Sequence, residues 1–329
     1  MFNSRTLVTG GAGFIGSNLV DILINQGSKV TVIDNLSTGN LQNLKKHIDN
    51  GSVEFIQGDL MVPETLTDLK KNFDIIFHLA ALADIVPSVS NPKPYFDSNV
   101  VGTFNLLNYV RMNPTKIIYA ASSSCYGVPQ NYPTPEESPI DPKYPYALTK
   151  QLGENMLMHF STIYKIPAIS LRLFNVYGKR SRTNTNYGAV MGVFLAQKIS
   201  GKPLTVVGDG SQLRDFVHVE DVVRAFIFAA KSAISGEVFN VGSGQPQSIS
   251  KLAHLIGGPI EYLPWRPGEP KITHANIDRI EKFLGWKPEI ELEAGLSELL
   301  EHISDWSSAP VWDRESIDIA TKDWFRYLG

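Results

Sequence analysis

The sequence predicts an α/β fold in which a doubly wound parallel sheet carries a smaller C-terminal lobe. Two observations support this fold class. Helix-length segments, such as 14–26, 94–112 and 146–164, alternate with short apolar segments rich in Val, Ile or Phe. Strands and helices that alternate in this way form a parallel sheet with both faces covered. The predicted strands are 5–10, 29–34, 53–59, 74–80, 116–122 and 167–175.

The alternation weakens after residue 176, which predicts a division into two parts. We expect 1–176 to form the sheet domain, with 216–242 returning to it because 219–242 again has the pattern of a helix followed by a strand. The segments 177–215 and 243–329 would form the lobe, which we expect to bind substrate.

The C-terminal tail, 309–329, contains two Trp, a Phe and a Tyr. This composition is too aromatic for a free tail. Two interpretations remain open, namely a segment packed on its own body and a contact with another subunit.

Composition excludes several function classes. The net charge is only −3, which argues against a nucleic-acid partner and against an anionic membrane surface. A single cysteine, Cys125, cannot form an intramolecular disulfide. No apolar run reaches the length of a membrane span, and the N-terminal residues enter the first strand without room for a signal peptide. We therefore expect a cytoplasmic protein with no membrane partner. The seven histidines lack metal-binding spacing, so no metal is expected.

A glycine-rich turn follows the first strand in VTGGAGFIGSNLV. Gly11, Gly13 and Gly16 fit G-x-G-x-x-G, and Gly10, Gly13 and Gly16 also fit G-x-x-G-x-x-G. Such glycines let backbone N–H groups and a helix N-terminus approach a pyrophosphate, as in a Rossmann domain. Asp34 ends the next strand, where a carboxylate can accept hydrogen bonds from ribose hydroxyls and repel a 2′-phosphate. No Arg neighbours it, so the sequence favours NAD over NADP.

Other strand ends complete the predicted cofactor site. Asp59 ends the third strand, where it meets the adenine or caps the strand, and the small residues of HLAALAD let a nicotinamide lie against the backbone. The predicted cofactor-binding residues are Gly10, Gly13, Phe14, Ile15, Gly16, Asp34, Asn35, Asp59, Leu60, Leu79, Ala80, Ala81, Asn99, Tyr146, Lys150 and Phe174.

A Tyr and a Lys four residues apart in YPYALTK predict a catalytic pair. Tyr146 and Lys150 share one face of a helix. The serine run of AASSSCYG ends the fifth strand shortly before them. Ligands collect at the carboxyl ends of parallel strands, so the glycine turn, the serines and this pair should meet in one crevice.

With these motifs the chain resembles the extended short-chain dehydrogenase/reductase superfamily. It is most similar to the nucleotide-sugar 4-epimerases, of the UDP-glucose or UDP-N-acetylglucosamine type, over most of 1–295. The motifs that carry the resemblance are TGGAGFIGS, ASSSCYG, YALTK, LRLFNVYG, RDFVHVEDV, FNVGSG and RPGE.

The resemblance implies a mechanism for catalytic residues Ser122, Tyr146 and Lys150. Tyr146, hydrogen-bonded to the same oxygen as Ser122, would take the proton of a sugar 4-hydroxyl while the C4 hydride moves to NAD. The 4-keto sugar would then turn over and take the hydride back on its other face. Lys150 and the positive nicotinamide would lower the pKa of Tyr146.

The residue before YG helps to choose among reactions of this scaffold. Related 4,6-dehydratases and decarboxylases carry an acid there, whereas this chain has Cys125. This favours an epimerase, which needs no general acid at that place. Alternatives are a nucleotide-sugar 4,6-dehydratase, a C4 dehydrogenase and, remotely, a non-catalytic NAD-binding scaffold. Ala83 stands where some 4-epimerases have a lysine, so the sugar is not inferred from that position.

The resemblance also implies a substrate site for a nucleotide-diphosphate sugar. Arg214 and Arg266 would bind the diphosphate, or form surface salt bridges. Asn175 would hold the diphosphate or the sugar, and Glu269 would accept from a ribose hydroxyl. Further candidates, each with a structural alternative, are Ser123 and Ser124 (sugar contact or strand-end capping), Tyr187 (sugar pocket or core), and Arg180 and Arg182 (specificity or a solvated loop).

Finally, the predicted helices 94–112 and 146–164 resemble those that form a four-helix interface in relatives. We therefore expect a homodimer.

Overall fold

The structure is a computed structural model that describes residues 4–69, 72–181 and 188–329. Thirteen strands occur in the part of the chain so described. They are β1 (Arg5–Thr9), β2 (Lys29–Asp34), β3 (Val53–Gln57), β4 (Ile75–His78), β5 (Lys116–Ser122), β6 (Ala168–Leu173), β7 (Asn175–Tyr177), β8 (Leu204–Val207), β9 (Leu213–Arg214), β10 (Phe216–His218), β11 (Glu237–Val241), β12 (Gln247–Ser248) and β13 (Ile260–Leu263).

The described α-helices follow the predicted alternation. They are α1 (Phe14–Asn25), α2 (Lys45–Asp49), α3 (Glu64–Thr67), α4 (Ile85–Ser90), α5 (Lys93–Phe96), α6 (Gly102–Val110), α7 (Pro145–Tyr164), α8 (Val190–Ile199), α9 (Val219–Lys231), α10 (Ile249–Ile256), α11 (Asp278–Leu284), α12 (Leu292–Glu301), α13 (Arg314–Ala320) and α14 (Lys322–Leu328).

A seven-stranded parallel sheet forms the centre of the molecule, in the order β11-β6-β5-β4-β1-β2-β3. This sheet confirms the predicted doubly wound fold. The strand order reverses between β1 and β4, where Thr9 pairs with Ile33 on one side and His78 on the other. A crevice opens at the carboxyl ends of the strands at such a reversal, which is where α/β proteins bind ligands.

The segment 94–112 is helical as its pattern predicts, with a π-helical turn inside the helix. A π-helical turn, Asp97–Val101, separates α5 from α6. The turn contains Asn99, whose amide is bonded to the backbone of Leu82 across the sheet edge. Such turns are common at functional sites, because the wider turn redirects a side chain without ending the helix.

Three large apolar clusters and a smaller one around Cys125 and Phe174 hold the described elements together. One packs α1 and α9 against the first face of the sheet, and another packs α6 and α7 against the second. A third lies in the C-terminal lobe and contains Trp306, Ile317 and Trp324. The C-terminal tail 309–329 is therefore packed on its own body, through α13 and α14.

Candidate active site

A single cavity of about 610 Å³ lies at the carboxyl ends of the sheet strands, within the size range of ligand sites. Its wall contains every site residue named above from the described ranges except Asn99 and Arg180. These residues are Gly10, Gly13, Phe14, Ile15, Gly16, Asp34, Asn35, Asp59, Leu60, Leu79, Ala80, Ala81, Ser122, Ser123, Ser124, Tyr146, Lys150, Phe174, Asn175, Arg214, Arg266 and Glu269.

The glycine turn leaves no room for side chains at two positions. Gly10 has φ +72°, and a Cβ there would lie 2.7 Å from the backbone nitrogen of Ala80. A Cβ on Gly16 would lie 2.2 Å from the carbonyl oxygen of Gly10. The N-cap of α1 is Gly13, which provides no side-chain cap for the first N–H groups of the helix. This cradle fits a pyrophosphate.

Asp34 is fixed at the end of β2 next to this cradle. Its carboxylate accepts hydrogen bonds from the backbone N–H groups of Ala12 (2.9 Å) and Leu36 (2.8 Å). Burial raises the pKa of Asp34, and these two hydrogen bonds lower it. Asn35 donates to Asp59 at 2.8 Å, which joins the neighbouring strand ends. The strand edge thus offers fixed carboxylates of the kind that bind ribose hydroxyls and disfavour a 2′-phosphate.

Tyr146 meets Ser122 where β5 and α7 converge. Its backbone N–H donates to Ser88 Oγ (3.1 Å), which anchors the first turn of α7. Burial raises the pKa of the Tyr146 phenol, a hydrogen bond with Ser122 lowers it, and the Asp84 charge raises it further. The polypeptide by itself therefore holds the phenol in its protonated form.

Lys150 is buried on α7, one helical turn after Tyr146. Burial lowers the pKa of Lys150 to about 7, and the Glu154 charge opposes that shift. The Lys150 ammonium lies 4.2 Å from the centre of the Tyr119 ring. The lowering of the Tyr146 pKa by Lys150 together with a bound, positively charged nicotinamide stays a prediction.

Asn99 is buried and does not line the cavity, and its predicted contact with a cofactor stays a prediction. Its amide accepts from Leu82 N (2.8 Å) and donates to Leu82 O (3.0 Å) and to Thr149 Oγ1 (3.0 Å). Thr149 in turn donates to the carbonyl of Tyr146 (2.9 Å). Asn99 therefore positions the loop after β4 against the helix of the catalytic pair.

A buried histidine that the sequence did not single out lies beneath the same region. His78 Nδ1 is 2.7 Å from Thr9 Oγ1, and its Nε2 is 2.9 Å from Thr103 Oγ1. Thr103 donates its own proton to Asn99 O (2.6 Å), so it accepts from His78. Burial, helped by the Lys150 charge, lowers the pKa of His78 to about 3. His78 is thus a neutral connector of β1, β4 and α6.

A buried ion pair lies one turn after Lys150 on α7. Arg172 on β6 donates to Glu154 at 2.6 Å, and the two side chains are 7% and 4% exposed. Arg172 also donates to the Tyr126 hydroxyl (2.8 Å), and Ser170 donates to Glu154 (2.8 Å). The i, i+4 spacing of Lys150 and Glu154 was visible in the sequence, but their burial was not.

Two arginines face one carboxylate at the far end of the cavity. Arg214 and Arg266 approach Glu269 at 3.5 and 3.1 Å, and both side chains are largely buried. Arg214 also donates to the carbonyls of Leu213 and Pro270. This cluster is not a set of surface salt bridges. It keeps a net positive charge inside the cavity, which suits a diphosphate.

In the loop after β7, the structure describes Arg180, for which the sequence left two roles open. Arg180 pairs with Asp21 on α1 at 2.9 Å and does not line the cavity. The sugar-end role considered for it is therefore not supported, because its charge is already engaged on the outer side of α1. Arg182 and Tyr187 lie outside the described residues.

Aromatic residues that were not predicted as site residues line the lobe side of the cavity. They include Tyr144, Trp312 and Trp324. The aromatic tail was visible in the sequence, but its position beside the catalytic helix was not.

The described ranges contain no group of three His, Cys, Asp or Glu side chains that could hold a metal ion. Among the described helices, none has the length and apolarity needed to cross a membrane.

The family model for the NAD dependent epimerase/dehydratase family matches residues 6–242. A UDP-glucose 4-epimerase of Mycolicibacterium smegmatis is 37% identical over 307 residues, which cover 90% of this chain and 97% of that protein. A UDP-glucuronic acid decarboxylase 1 of Danio rerio is 33% identical, covering 91% of this chain and 72% of that protein.

Solved structures give the same result. A UDP-N-acetylglucosamine 4-epimerase from Methanobrevibacter ruminantium, in complex with UDP-N-acetylmuramic acid, has a TM-score of 0.86 at 35% identity. It covers 93% of this chain and 98% of that one. A UDP-glucuronic acid 4-epimerase from Bacillus cereus, in complex with UDP-glucuronic acid and NAD, has a TM-score of 0.83 at 30% identity, with 92% and 99% coverage.

Proposed function

The chain belongs to the NAD dependent epimerase/dehydratase family, and from that premise we propose that it inverts C4 of a nucleotide-linked sugar of the UDP-hexose type through a 4-keto sugar. The observation that carries the proposal is the composition of one cavity. A glycine cradle with Asp34, the Tyr146–Ser122 pair and the Arg214–Arg266–Glu269 cluster all line it.

The cofactor would bind along the cradle and the strand ends. When bound, NAD supplies the hydride acceptor for C4 and a positive charge beside the phenol. Gly10 and Gly16 let the turn fold tightly, because a Cβ at either position would collide with backbone atoms. Asp34 is fixed to receive the adenosine ribose, and Lys150 lies on the wall near the other end of the cofactor.

The acid–base steps belong to Tyr146 and Ser122. The phenolate of Tyr146 takes the 4-hydroxyl proton of the sugar, while Ser122 holds the same oxygen. The 4-keto sugar then rotates within the cavity. Tyr146 would return the proton to the 4-oxygen once C4 has been reduced on its other face. Arg214 and Arg266 hold the diphosphate throughout, so that the sugar turns without leaving.

Dehydration is less well supported than epimerisation. The position before Tyr126 is Cys125, and burial raises the pKa of its thiol to about 12. Such a thiol is a poor general acid for expelling a hydroxyl at neutral pH. Decarboxylases are among the relatives, so loss of a carboxyl group from a uronic acid is the second candidate function.

A panel of nucleotide sugars followed by NMR tests these candidates. The purified protein is incubated with UDP-glucose, UDP-N-acetylglucosamine and UDP-glucuronic acid. An epimer of unchanged mass supports the proposal. Loss of water indicates a dehydratase, a UDP-pentose indicates a decarboxylase, and net NADH indicates a dehydrogenase. No conversion of any substrate would contradict an enzymatic role.

We also propose that a second copy of this chain covers the outer face of α6 and α7. Phe104 and Phe160 contact edge to face at 6.3 Å across these helices, and Tyr164 packs on Phe160. Met112, in the turn after α6, and Ile163 on α7 are 71% and 56% exposed. An apolar face of this kind fits an isologous dimer.

Light scattering after size-exclusion chromatography tests the dimer. Phe104→Asp should convert a dimer into a monomer, because it places a charge in the proposed interface. Ile319→Asp is the control, since Ile319 is exposed on α13, away from these helices. A wild-type monomer, or a dimer that survives Phe104→Asp, would contradict the proposal.

A further inference from the structure

The residue that starts the catalytic helix is an unusual choice for that position. Tyr144 is the N-cap of α7 and makes no side-chain capping hydrogen bond. Ser, Thr, Asp and Asn are the usual N-caps, because their side chains accept from the first N–H groups. A phenol cannot do this in the same way. Tyr144 therefore gives up a stabilising contact of α7, and the side chain lines the cavity instead.

The Tyr144 hydroxyl lies between the two chemical ends of the cavity. It shares a side-chain hydrogen bond with Ser124, two residues after Ser122. It is also close enough to feel the charges of Glu269 and Arg214. In the proposed complex the diphosphate lies at the arginines and the sugar C4 lies at Tyr146. The sugar ring, which connects these two parts, therefore lies beside the Tyr144 phenol.

The ring of Trp324, in the C-terminal tail, packs against the ring of Tyr144. The two ring centres are 5.5 Å apart, and Trp324 is 1% exposed. The Trp324 indole N–H donates to the carbonyl of Pro267 at 2.7 Å, in the loop that carries Arg266 and Glu269. One side chain from the end of the chain thus contacts both the start of α7 and the arginine loop.

The tail is anchored firmly enough to act in this way. Gln197, which is buried in the lobe, donates to the carbonyl of Trp312 at 2.6 Å. Arg314 bonds to Glu261 at 2.7 Å, and Ile317 is buried in the lobe core. These anchors lie on three different elements, so the tail is a fixed wall of the cavity.

We propose that Tyr144 is a specificity residue that contacts the sugar, and that Trp324 is a positioning residue that holds Tyr144 and the Arg266 loop around it. The inference rests on the proposed function and adds a role for the tail. An aromatic ring offers the sugar a flat apolar face, and the phenol hydroxyl offers a hydrogen bond. The effect should appear in substrate binding and in the choice of sugar, not in the binding of NAD.

Steady-state kinetics of Trp324→Ala and Tyr144→Ala test this, with the nucleotide sugar that wild type converts fastest in the panel above. We expect KM to rise about ten-fold in both variants while kcat changes about two-fold or less, since the interaction lost is one of binding. Bound NAD per chain should stay at the wild-type level. Tyr144→Ala should also shift kcat/KM towards the bulkier N-acetylated sugar, because the ring no longer fills the space.

Conservative and control variants separate this role from a purely structural one. Trp324→Phe keeps a ring against Tyr144 but loses the bond to Pro267, and it should recover part of the lost KM effect. Phe325→Ala, exposed on the same helix, should behave as wild type. Because Trp324 is buried, Trp324→Ala can fail to fold. In that case the KM values of Tyr144→Ala and Trp324→Phe test the inference.

The outcomes distinguish the two proposals. An unchanged KM in folded Tyr144→Ala, or a fall in kcat that only follows loss of NAD, overturns this inference while leaving the proposed function intact. A wild-type protein that converts no nucleotide sugar overturns both.

Discussion

The two halves of the cavity are built in different ways. The cofactor half is formed by backbone and small residues from consecutive strand ends, such as Gly10, Gly16 and Ala80. The substrate half is formed by long side chains that lie far apart in the sequence, such as Tyr144, Arg214 and Trp324. A ligand that a whole family shares can be bound by backbone groups. A ligand that varies within the family is selected by side chains, because these can be substituted without disturbing the sheet.

The largest expected effect concerns the residue where the two halves meet. Tyr146→Phe should lower kcat by about 10²–10⁴-fold, because it removes the acid–base group and leaves both binding halves in place. Bound NAD and the melting temperature should change little. Activity is measured by NMR of the converted sugar, and Tyr262→Phe, an exposed phenol on β13, is the control. Full activity of Tyr146→Phe would refute the catalytic assignment.

A second substitution tests whether the buried Arg172–Glu154 ion pair stabilises the fold. Glu154→Gln should lower the free energy of unfolding by about 3–5 kcal/mol, because it leaves the buried Arg172 charge without its partner. Urea unfolding of the cofactor-free protein measures this. The double variant Glu154→Gln, Arg172→Met should be less destabilised than Glu154→Gln alone. If the two variants are equally unstable, the pair does not act as a unit.

A third pair of variants breaks the cofactor half alone. Gly16→Ala should weaken NAD binding by about ten-fold or more, since its Cβ would meet the Gly10 carbonyl in the cradle. Gly27→Ala, past the other end of α1, meets open space and should cost only about 1 kcal/mol of stability through its φ of +89°. Calorimetric titration with NAD compares them. Equal NAD affinity in both would mean that the glycine turn is not the binding site.

The substrate half is tested by Arg214→Lys. A lysine keeps the charge but loses the planar fork that binds a diphosphate in two places, so KM should rise about ten-fold. NAD affinity should stay unchanged, because Arg214 is far along the cavity from the cradle. A fall in NAD affinity equal to the rise in KM would show that the two halves are not independent.

The last expected effect is a pH dependence of stability due to Lys150. Its pKa of about 7 in the folded chain is below the ordinary value, so between pH 7 and about 10.5 the unfolded chain binds a proton that the folded chain does not. The contribution of Lys150 to the free energy of unfolding therefore rises with pH in that window, by at most about 1.4 kcal/mol per pH unit.

Lys150→Met makes that dependence measurable. The cofactor-free variant should be more stable than wild type at pH 7, and the difference should shrink as the pH rises to 9. Urea unfolding at both values gives the comparison. A difference that grows with pH would show that Lys150 is not destabilised by burial.

The sequence by itself determined the fold class and most of the cofactor half. The strands, the glycine turn and Asp34 are local features, because each depends on a run of neighbouring residues whose backbone geometry is set by their own pattern. The Tyr146–Lys150 pair was also predictable from the sequence, since a helix places residues four apart on the same face.

Only the tertiary structure decided the rest. It turned Arg180 towards Asp21, set Asn99 behind the cavity wall and lowered the pKa of Lys150 by burial. It also brought Trp324 from the end of the chain against Tyr144. These contacts join residues that are distant in sequence, and their strength depends on how much water the packed chain excludes. No local pattern encodes that quantity, because it belongs to the assembled molecule.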